Sequence, residues 1–209
     1  NIVLLAMSLP MSWLFLDAEL ASRATATLLC VSAFAVIFVR VISIQQHELH
    51  ELAMTDSLTG LSNRVQLHDS LEQAVQMFER HAVPMTLISL DLDNFKKIND
   101  TLGHDAGDDV LRGIGKLLQK RIRRSDKVFR LGGEEFLILL YETDSAQGLL
   151  VAEELRKKIE SMRLLPDRSV TTSVGIATLQ PKEDWRDWMK RSDDNLYRAK
   201  KEGRNRVLA

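Results

Sequence analysis

The apolar and polar positions divide the chain into two unlike parts. Residues 24–39, ATATLLCVSAFAVIFV, carry no charge, and with Arg40 and residues 41–44 the run reaches 21 residues. An apolar helix of that length crosses a bilayer, and an arginine near its end can snorkel to the surface. Residues 1–16, NIVLLAMSLPMSWLFL, read as the end of an earlier, truncated span, with DAELASR as a short polar loop between the two. A pair of buried core helices is the competing reading. Residues 45–55, QQHELHELAMT, are polar and helical in character, and Ile42, Gln45, Leu49 and Leu52 fall at a and d spacing. This stretch reads as a signalling helix or a plain linker.

From Asp56 onward the periodicity is that of a mixed α/β domain. Residues 62–80 repeat apolar side chains on one helical face at Leu67, Leu71, Val75 and Phe78, and Pro84 breaks the run. Residues 85–92, MTLISLDL, read as a buried strand. Residues 105–123 return to helical spacing at Val110, Leu111, Ile114, Leu117, Leu118 and Ile122. A hairpin at 129–140, a helix at 145–162, a strand at 170–178, a helix at 185–201 and a short strand at 206–208 complete the order. The pattern predicts an α/β (α+β) fold of the ferredoxin-like or polymerase-palm type, with an antiparallel central sheet and helices on one face, preceded by transmembrane helices.

Composition narrows the function. The net charge of −1 over 209 residues gives no basic field for nucleic acid. Charge is sparse at the start, where Asp17, Glu19 and Arg23 are the only charged side chains before Arg40. The single cysteine, Cys30, lies in the apolar part, so neither an internal disulfide nor sulfur chemistry is expected. The chain begins at Asn1 and is read as a fragment. Arg40 and the basic residues that follow favour a cytoplasmic side for the C-terminal part.

Four stretches carry chemistry. LISLDLDNF ends a buried strand in Asp91 and Asp93, which share a side by the period-two rule. Buried carboxylates need a cationic partner. The D-x-D start resembles a calcium loop, but Phe95 and Lys96 stand where a ligand and a glycine are required. A magnesium–phosphate site fits better; solvated strand-end aspartates are the plain alternative.

FRLGGEEFLILL places paired glycines in a tight turn with Glu134 and Glu135 at its tip. Taken alone this is an ordinary hairpin. Beside the Asp91 strand it would bring carboxylates close enough to require a divalent cation. INDTLGHDAGDDVL offers Asn99, His104 and Asp108, an amide and a carboxylate able to read a guanine edge. Helix capping by Asp105 and Asp108 and a structural histidine are the alternatives. YRAKKEGRN spaces Lys200 and Arg204 at i, i+4, on one helical face, either to clamp a triphosphate or to complement a helix dipole.

Read together, DSLTGLSNR, DLDNFKKINDTLGHDAGDDVL, RRSDKVFRLGGEEF, TTSVGIA and DNLYRAKKEGRNRV resemble, in order and spacing, the diguanylate cyclase (GGDEF) domain over residues 55–207. The signature here reads GGEEF. With the hydrophobic pattern, the chain divides into a membrane region at 1–44, a linker at 45–55 and a catalytic domain at 56–209. The resemblance implies a nucleotide-cyclase palm that condenses two GTP into cyclic di-GMP and two pyrophosphates, as a homodimer; with the apolar span, this places it at the bacterial cytoplasmic membrane with the catalytic domain in the cytoplasm. Magnesium, with manganese as substitute, would be held by Asp91, the Leu92 carbonyl and Glu134. Glu134 would accept the proton, with Glu135 a second acidic residue beside it. Asn99, His104 and Asp108 would contact guanine, and Phe95, Lys96, Lys200 and Arg204 the phosphates. Arg123 and Asp126 match the family's R-x-x-D product-inhibition motif, and AEELRKK offers Arg156 as its further arginine, with Glu154 in the matching place. A catalytically silent module that binds GTP or cyclic di-GMP is the alternative within the family.

Overall fold

The computed structural model describes residues 18–52 and 54–209. The chain divides into two compact units, residues 1–52 and 53–209. The span expected at 1–16 lies outside the described residues.

Among the described residues of the first unit, a helix, α1, runs Ala18–Leu52. The polar loop expected at DAELASR is therefore helical from Ala18 onward. Alanine, leucine and glutamate favour that state. Thr25 and Thr27 bond back to the carbonyls of Ser22 and Arg23, at 2.9 Å each, within the helix. Within α1, Ser22–Ser43 is a 22-residue apolar stretch, about 33 Å long at the helical rise, none of it buried. It is not a core helix of the described chain. Of the heptad positions, Gln45, Leu49 and Leu52 lie outside the described side chains.

The second unit begins with a two-residue strand β1 (Ser62–Asn63), then α2 (Arg64–His81) and β2 (Thr86–Leu92). Two helices follow, α3 (Phe95–Leu102) and α4 (His104–Arg121), then the hairpin β3 (Lys127–Gly132) and β4 (Glu135–Leu140). The last elements are α5 (Ser145–Ser161), β5 (Thr172–Thr178), α6 (Trp185–Lys201) and β6 (Val207–Leu208). Residues 62–63 were expected to open a helix. Instead Asn63 stays extended and caps α2, its side chain accepting from the Val65 N–H at 2.9 Å. The helix expected to reach residue 123 ends at Arg121, because Ile122 turns extended and leads into the turn before β3.

The sheet has six strands in the order β1-β3-β4-β2-β5-β6. The inner four pair antiparallel, as expected, while β1 runs parallel to β3 and β6 parallel to β5 at the two edges. Helices cover both faces rather than one. On one face Ile88, Leu90 and Leu92 of β2 and Phe136, Ile138 and Leu140 of β4 pack against α3, α4 and α5. On the other, Leu87, Leu137, Leu139 and Phe129 pack against Leu67 and Leu71 of α2 and Trp188 of α6. The cause is written in β2, where every residue is buried, so apolar side chains occupy both parities. Each fully buried leucine or isoleucine contributes roughly 1.5–3 kcal/mol, before the entropy of ordering it.

The even and odd faces of β2 are not equivalent. Ser89 and Asp91 share the face of Leu87 and look toward α6. Ser89 Oγ meets Ser192 Oγ at 2.8 Å and donates to Asp193 Oδ1 at 2.7 Å. Burial pushes the Asp193 carboxyl up, against the Ser89 bond that pulls it down. Trp188 Nε1 donates to the Ala177 carbonyl at 2.7 Å. This close seating of α6 depends on Gly175 in β5. A Cβ there would lie 2.1 Å from the Ser192 carbonyl oxygen and 2.2 Å from the Leu196 nitrogen, both backbone atoms that cannot turn aside. Gly175→Ala is therefore expected to destabilise the domain at or above the upper end of the roughly 1–3 kcal/mol typical of overpacking, measured by urea unfolding. An unchanged midpoint would show that α6 can shift at no cost.

Candidate active site

The hairpin tip is a two-residue connection, Gly133–Glu134, between β3 and β4, with Gly132 paired to Glu135. Gly132 and Gly133 take φ of 142° and 51°, where a side chain would be strained. The tip is anchored by a residue the motif reading passed over. Arg130 donates from Nε and Nη2 to the Gly133 carbonyl at 3.1 and 2.8 Å. Its Nη1 donates to both oxygens of Asp56 at 2.9 and 3.0 Å. Asp56 Oδ1 also accepts from the N–H and hydroxyl of Thr59, at 2.8 and 2.7 Å. Burial pushes the Asp56 carboxyl up, but the bonds from Thr59 and Arg130 outweigh it and hold the group below the usual carboxylate range. The signal was present as the D-x-x-T turn of DSLTG and a lone cation two residues before the glycines.

Pairing of β2 with β4 sets Asp91 opposite Glu135, and the Leu92 N–H donates to the Glu134 carbonyl at 3.4 Å. The glutamate tip and the strand end thus meet, as the hairpin reading required. Asp91 is 6% exposed, and its Oδ2 accepts from Lys200 Nζ at 2.7 Å. Burial pushes the Asp91 carboxyl up; Lys200 pulls it down and Glu134 and Glu135 push it up again, leaving it above the usual range. Among the described residues, no three acidic, histidine or cysteine side chains converge closely enough to form a metal cluster. The acidic groups are neighbours in register, with Asp91 turned onto Lys200. The donor set is nonetheless all oxygen, two carboxylates and a carbonyl, which suits a hard divalent cation.

Asp93 makes a separate set of bonds from Asp91. It lies past the end of β2, with its oxygens on Ser173, Thr171 and the Asn205 N–H, at 2.6, 2.8 and 3.0 Å.

On the α3–α4 side, Asn99 Oδ1 is buried with no hydrogen-bond partner. It lies where a Cβ on Gly107 would be, 1.9 Å from that atom, with the Phe95 ring 3.1 Å away from the same point. Phe95 is buried and Lys96 exposed. Asp108 follows Gly107 in α4, half exposed, with Arg112 at 3.7 Å. His104 is exposed in the first turn of α4. An amide oxygen buried without a donor costs about 1–3 kcal/mol, which a bound N–H would recover.

Lys200 and Arg204 do not share a helical face. α6 ends at Lys201, and Gly203, Arg204 and Asn205 take φ of 115°, 64° and 46°. Arg204 instead sits exposed in a left-handed turn, its N–H donating to the Ala199 carbonyl at 3.0 Å.

Arg123 and Asp126 occupy the turn between α4 and β3, the Asp126 N–H donating to the Arg123 carbonyl at 3.0 Å. Both line a surface pocket of about 260 Å³, with Leu140 and Gln147 among its walls. Asp126 Oδ1 accepts from the Tyr141 N–H at 3.0 Å. Burial pushes the Asp126 carboxyl up against the pull of that bond and of Arg123. Arg156 is committed to Glu153, Glu160 and Asn205, and Glu154 pairs with Arg121 at 3.2 Å.

A family model described as diguanylate cyclase, GGDEF domain, matches residues 53–206. The chain belongs to this family. Diguanylate cyclase DgcM of Escherichia coli K12 is 39% identical over 164 residues, covering 78% of this chain and 40% of that protein. Diguanylate cyclase DgcP of Pseudomonas aeruginosa is 42% identical over 158 residues, covering 74% of this chain and 24% of that protein. The chain thus spans less than half the length of these two GGDEF proteins. Among solved structures, the coiled coil and GGDEF domain of DgcB from Caulobacter crescentus, in complex with c-di-GMP, matches with a TM-score of 0.76 at 30% identity, covering 88% of this chain and 99% of that one. The active GGEEF domain of a Vibrio cholerae diguanylate cyclase matches at 0.68 and 37%, covering 71% and 96%.

The Arg130–Asp56 clamp in this GGDEF domain has a pH signature. A carboxyl lowered on folding contributes stability that is complete above its unfolded value of about 3.9 and is lost as pH falls through the folded value. Asp56→Asn is expected to lower stability at pH 7 by about 1–3 kcal/mol, with the gap to the parent closing below about pH 4. A gap that stays constant in urea titrations across that range would show that Asp56 acts by shape alone.

Proposed function

We propose that this domain condenses two molecules of GTP into cyclic di-GMP, releasing two pyrophosphates. The observation that carries the reading is the register of Asp91 against Glu135, which sets the GGEEF tip at the end of a buried strand beside Lys200. Asp91, the Leu92 carbonyl and Glu134 are the residues that would hold magnesium or manganese. Such an ion, when bound, supplies charge at the phosphate and acidifies a nearby hydroxyl.

The remaining work falls to the chain. Asn99 and Asp108 offer acceptors to the N1–H and N2–H edge of guanine, with His104 exposed nearby in sequence. Lys96, Lys200 and Arg204 supply cations for the phosphates, and the backbone at Phe95 passes beside them. Glu134 accepts the proton of the attacking 3′-hydroxyl, with Glu135 next to it. The hydroxyl oxygen bonds to the α-phosphorus of the second GTP, the bond from that phosphorus to the bridging oxygen breaks, and pyrophosphate leaves. A second, identical step closes the ring. One domain holds one GTP, so two copies must face each other and the active unit is a homodimer. Arg123 and Asp126, beside their surface pocket, are the proposed contact for feedback by the product. Ser22–Ser43 of α1 is the proposed membrane anchor, with the catalytic unit on the cytoplasmic side, where GTP is found.

The test is chromatography of the products after the 209-residue chain, stripped of bound nucleotide, meets GTP and magnesium at high protein concentration. Cyclic di-GMP is expected from the parent. Glu134→Ala should reduce its rate by more than about 100-fold, the loss typical of removing one group that stabilises charge in a transition state. A chelator should abolish it in both. No product from the parent would overturn the cyclase reading in favour of a nucleotide-binding module.

A further inference from the structure

We propose that Asp93 is a positioning residue for the phosphate-binding cation Arg204, and that Arg156 shares the task. The inference rests on the cyclase reading above. Asp93 is 6% exposed, and three donors reach its carboxylate. Oδ1 accepts from Ser173 Oγ at 2.6 Å, while Oδ2 accepts from Thr171 Oγ1 at 2.8 Å and from the Asn205 N–H at 3.0 Å. A buried carboxylate so supplied is satisfied by the protein itself. Its own N–H donates to the Thr171 carbonyl at 2.9 Å, fixing the residue to the start of β5.

The bond to Asn205 is the informative one, because Asn205 follows Arg204 in a left-handed turn. Both non-glycine residues of that turn hold positive φ, a conformation that persists only where the surroundings impose it. Asn205 is gripped from a second side. Its Oδ1 accepts from Arg156 Nη1 at 2.7 Å, and its Nδ2 donates to Glu160 Oε1 at 2.7 Å. Arg156 is itself fixed, its side chain 12% exposed and doubly bonded to Glu153 at 2.9 and 2.8 Å. The turn is therefore bound to the end of β2 through Asp93 and to α5 through Arg156. Among the described residues the Arg204 guanidinium has no ion-pair partner, so the clamp orders the backbone and leaves the charge free.

The two aspartates of the D-x-D pair then serve the two cations differently. Asp91 bonds Lys200 directly at 2.7 Å, and Asp93 sets the turn from which Arg204 projects. A long arginine binds phosphate well only when its backbone is held in place beforehand.

The test compares binding of 3′-deoxy-GTP, which lacks the attacking hydroxyl, and of guanosine, which lacks phosphates, by calorimetry on the full chain. Asp93→Asn and Arg156→Gln are each expected to weaken 3′-deoxy-GTP by on the order of tenfold, the scale of one misplaced charge-assisted contact. Guanosine affinity should stay at the parent value. In an Arg204→Ala background neither substitution should cost anything further, because the residue they act through is gone. With GTP as substrate, KM should rise more than kcat falls.

Losses that persist undiminished without Arg204, or that extend equally to guanosine, would overturn the proposal in favour of a general structural role. So would a loss of magnesium affinity in Asp93→Asn with Arg156→Gln silent, which would make Asp93 a metal ligand. Should Asp93→Asn fail to fold, judged by its melting curve, Arg156→Gln carries the same test from a site outside the active centre. A parent that neither binds 3′-deoxy-GTP nor makes cyclic di-GMP sinks the cyclase reading instead, a result distinct from variants that match a working parent.

Discussion

A carboxylate at the end of a strand buried on both faces stays charged only if a cation or a full set of hydrogen-bond donors is brought to it. In this chain the strand is β2 and the carboxylate is Asp91, with Lys200 Nζ at 2.7 Å. Removing Lys200 would leave Asp91 desolvated and unpaired, the costly half of such a pair. The arrangement of α6 follows from that constraint. Lys200 lies in the last turn of a 17-residue helix and reaches Asp91 only if the helix sits close to the sheet in one register. Closeness comes from Gly175, whose missing side chain admits the α6 backbone. Register comes from Ser89, which bonds Ser192 and Asp193 two residues before Asp91 in the strand and two turns before Lys200 in the helix. The polar pairs of β2 and α6 thus form a ladder with the ion pair at its open end.

The same strand explains what the sequence could and could not disclose. Helices and strands from Arg64 to Lys201, apart from α3, follow from periodicity and from breakers such as Pro84. The meeting of the hairpin with β2 was inferable because both stretches end in carboxylates that are hard to explain separately. Helices on both faces were not seen, although TLISLDL carries leucines of both parities. A single strand read alone does not say which of its two faces is the core. The loop expected between two spans failed for a different reason, since DAELASR is polar yet made mostly of good helix formers.

Errors at the site share one cause, which is that spacing was read without the backbone that realises it. Lys200 and Arg204 are four apart, but Gly203 ends the helical geometry between them. For the further arginine the spacing left Arg156 and Glu154 as alternatives; Arg156 is held by Glu153, Glu160 and Asn205, while Arg123 lines the pocket. Arg130 was overlooked because one of its partners is a backbone carbonyl and the other, Asp56, lies 74 residues away in sequence.

Polar satisfaction varies across the site in a way that bears on specificity. At its centre Asp91 and Lys200 are paired, and the hairpin is tied down through Arg130 and Asp56. At one end Asn99 Oδ1 is buried against Gly107 with no donor. At the other, Arg204, with no ion-pair partner among the described residues, projects from a turn fixed on both sides. Groups already satisfied by the protein contribute geometry, and groups held unsatisfied contribute selectivity, since only a ligand with the matching atoms relieves them. A nucleotide reading therefore places discrimination at its two extremities, the base edge at Asn99 and the phosphates at Arg204.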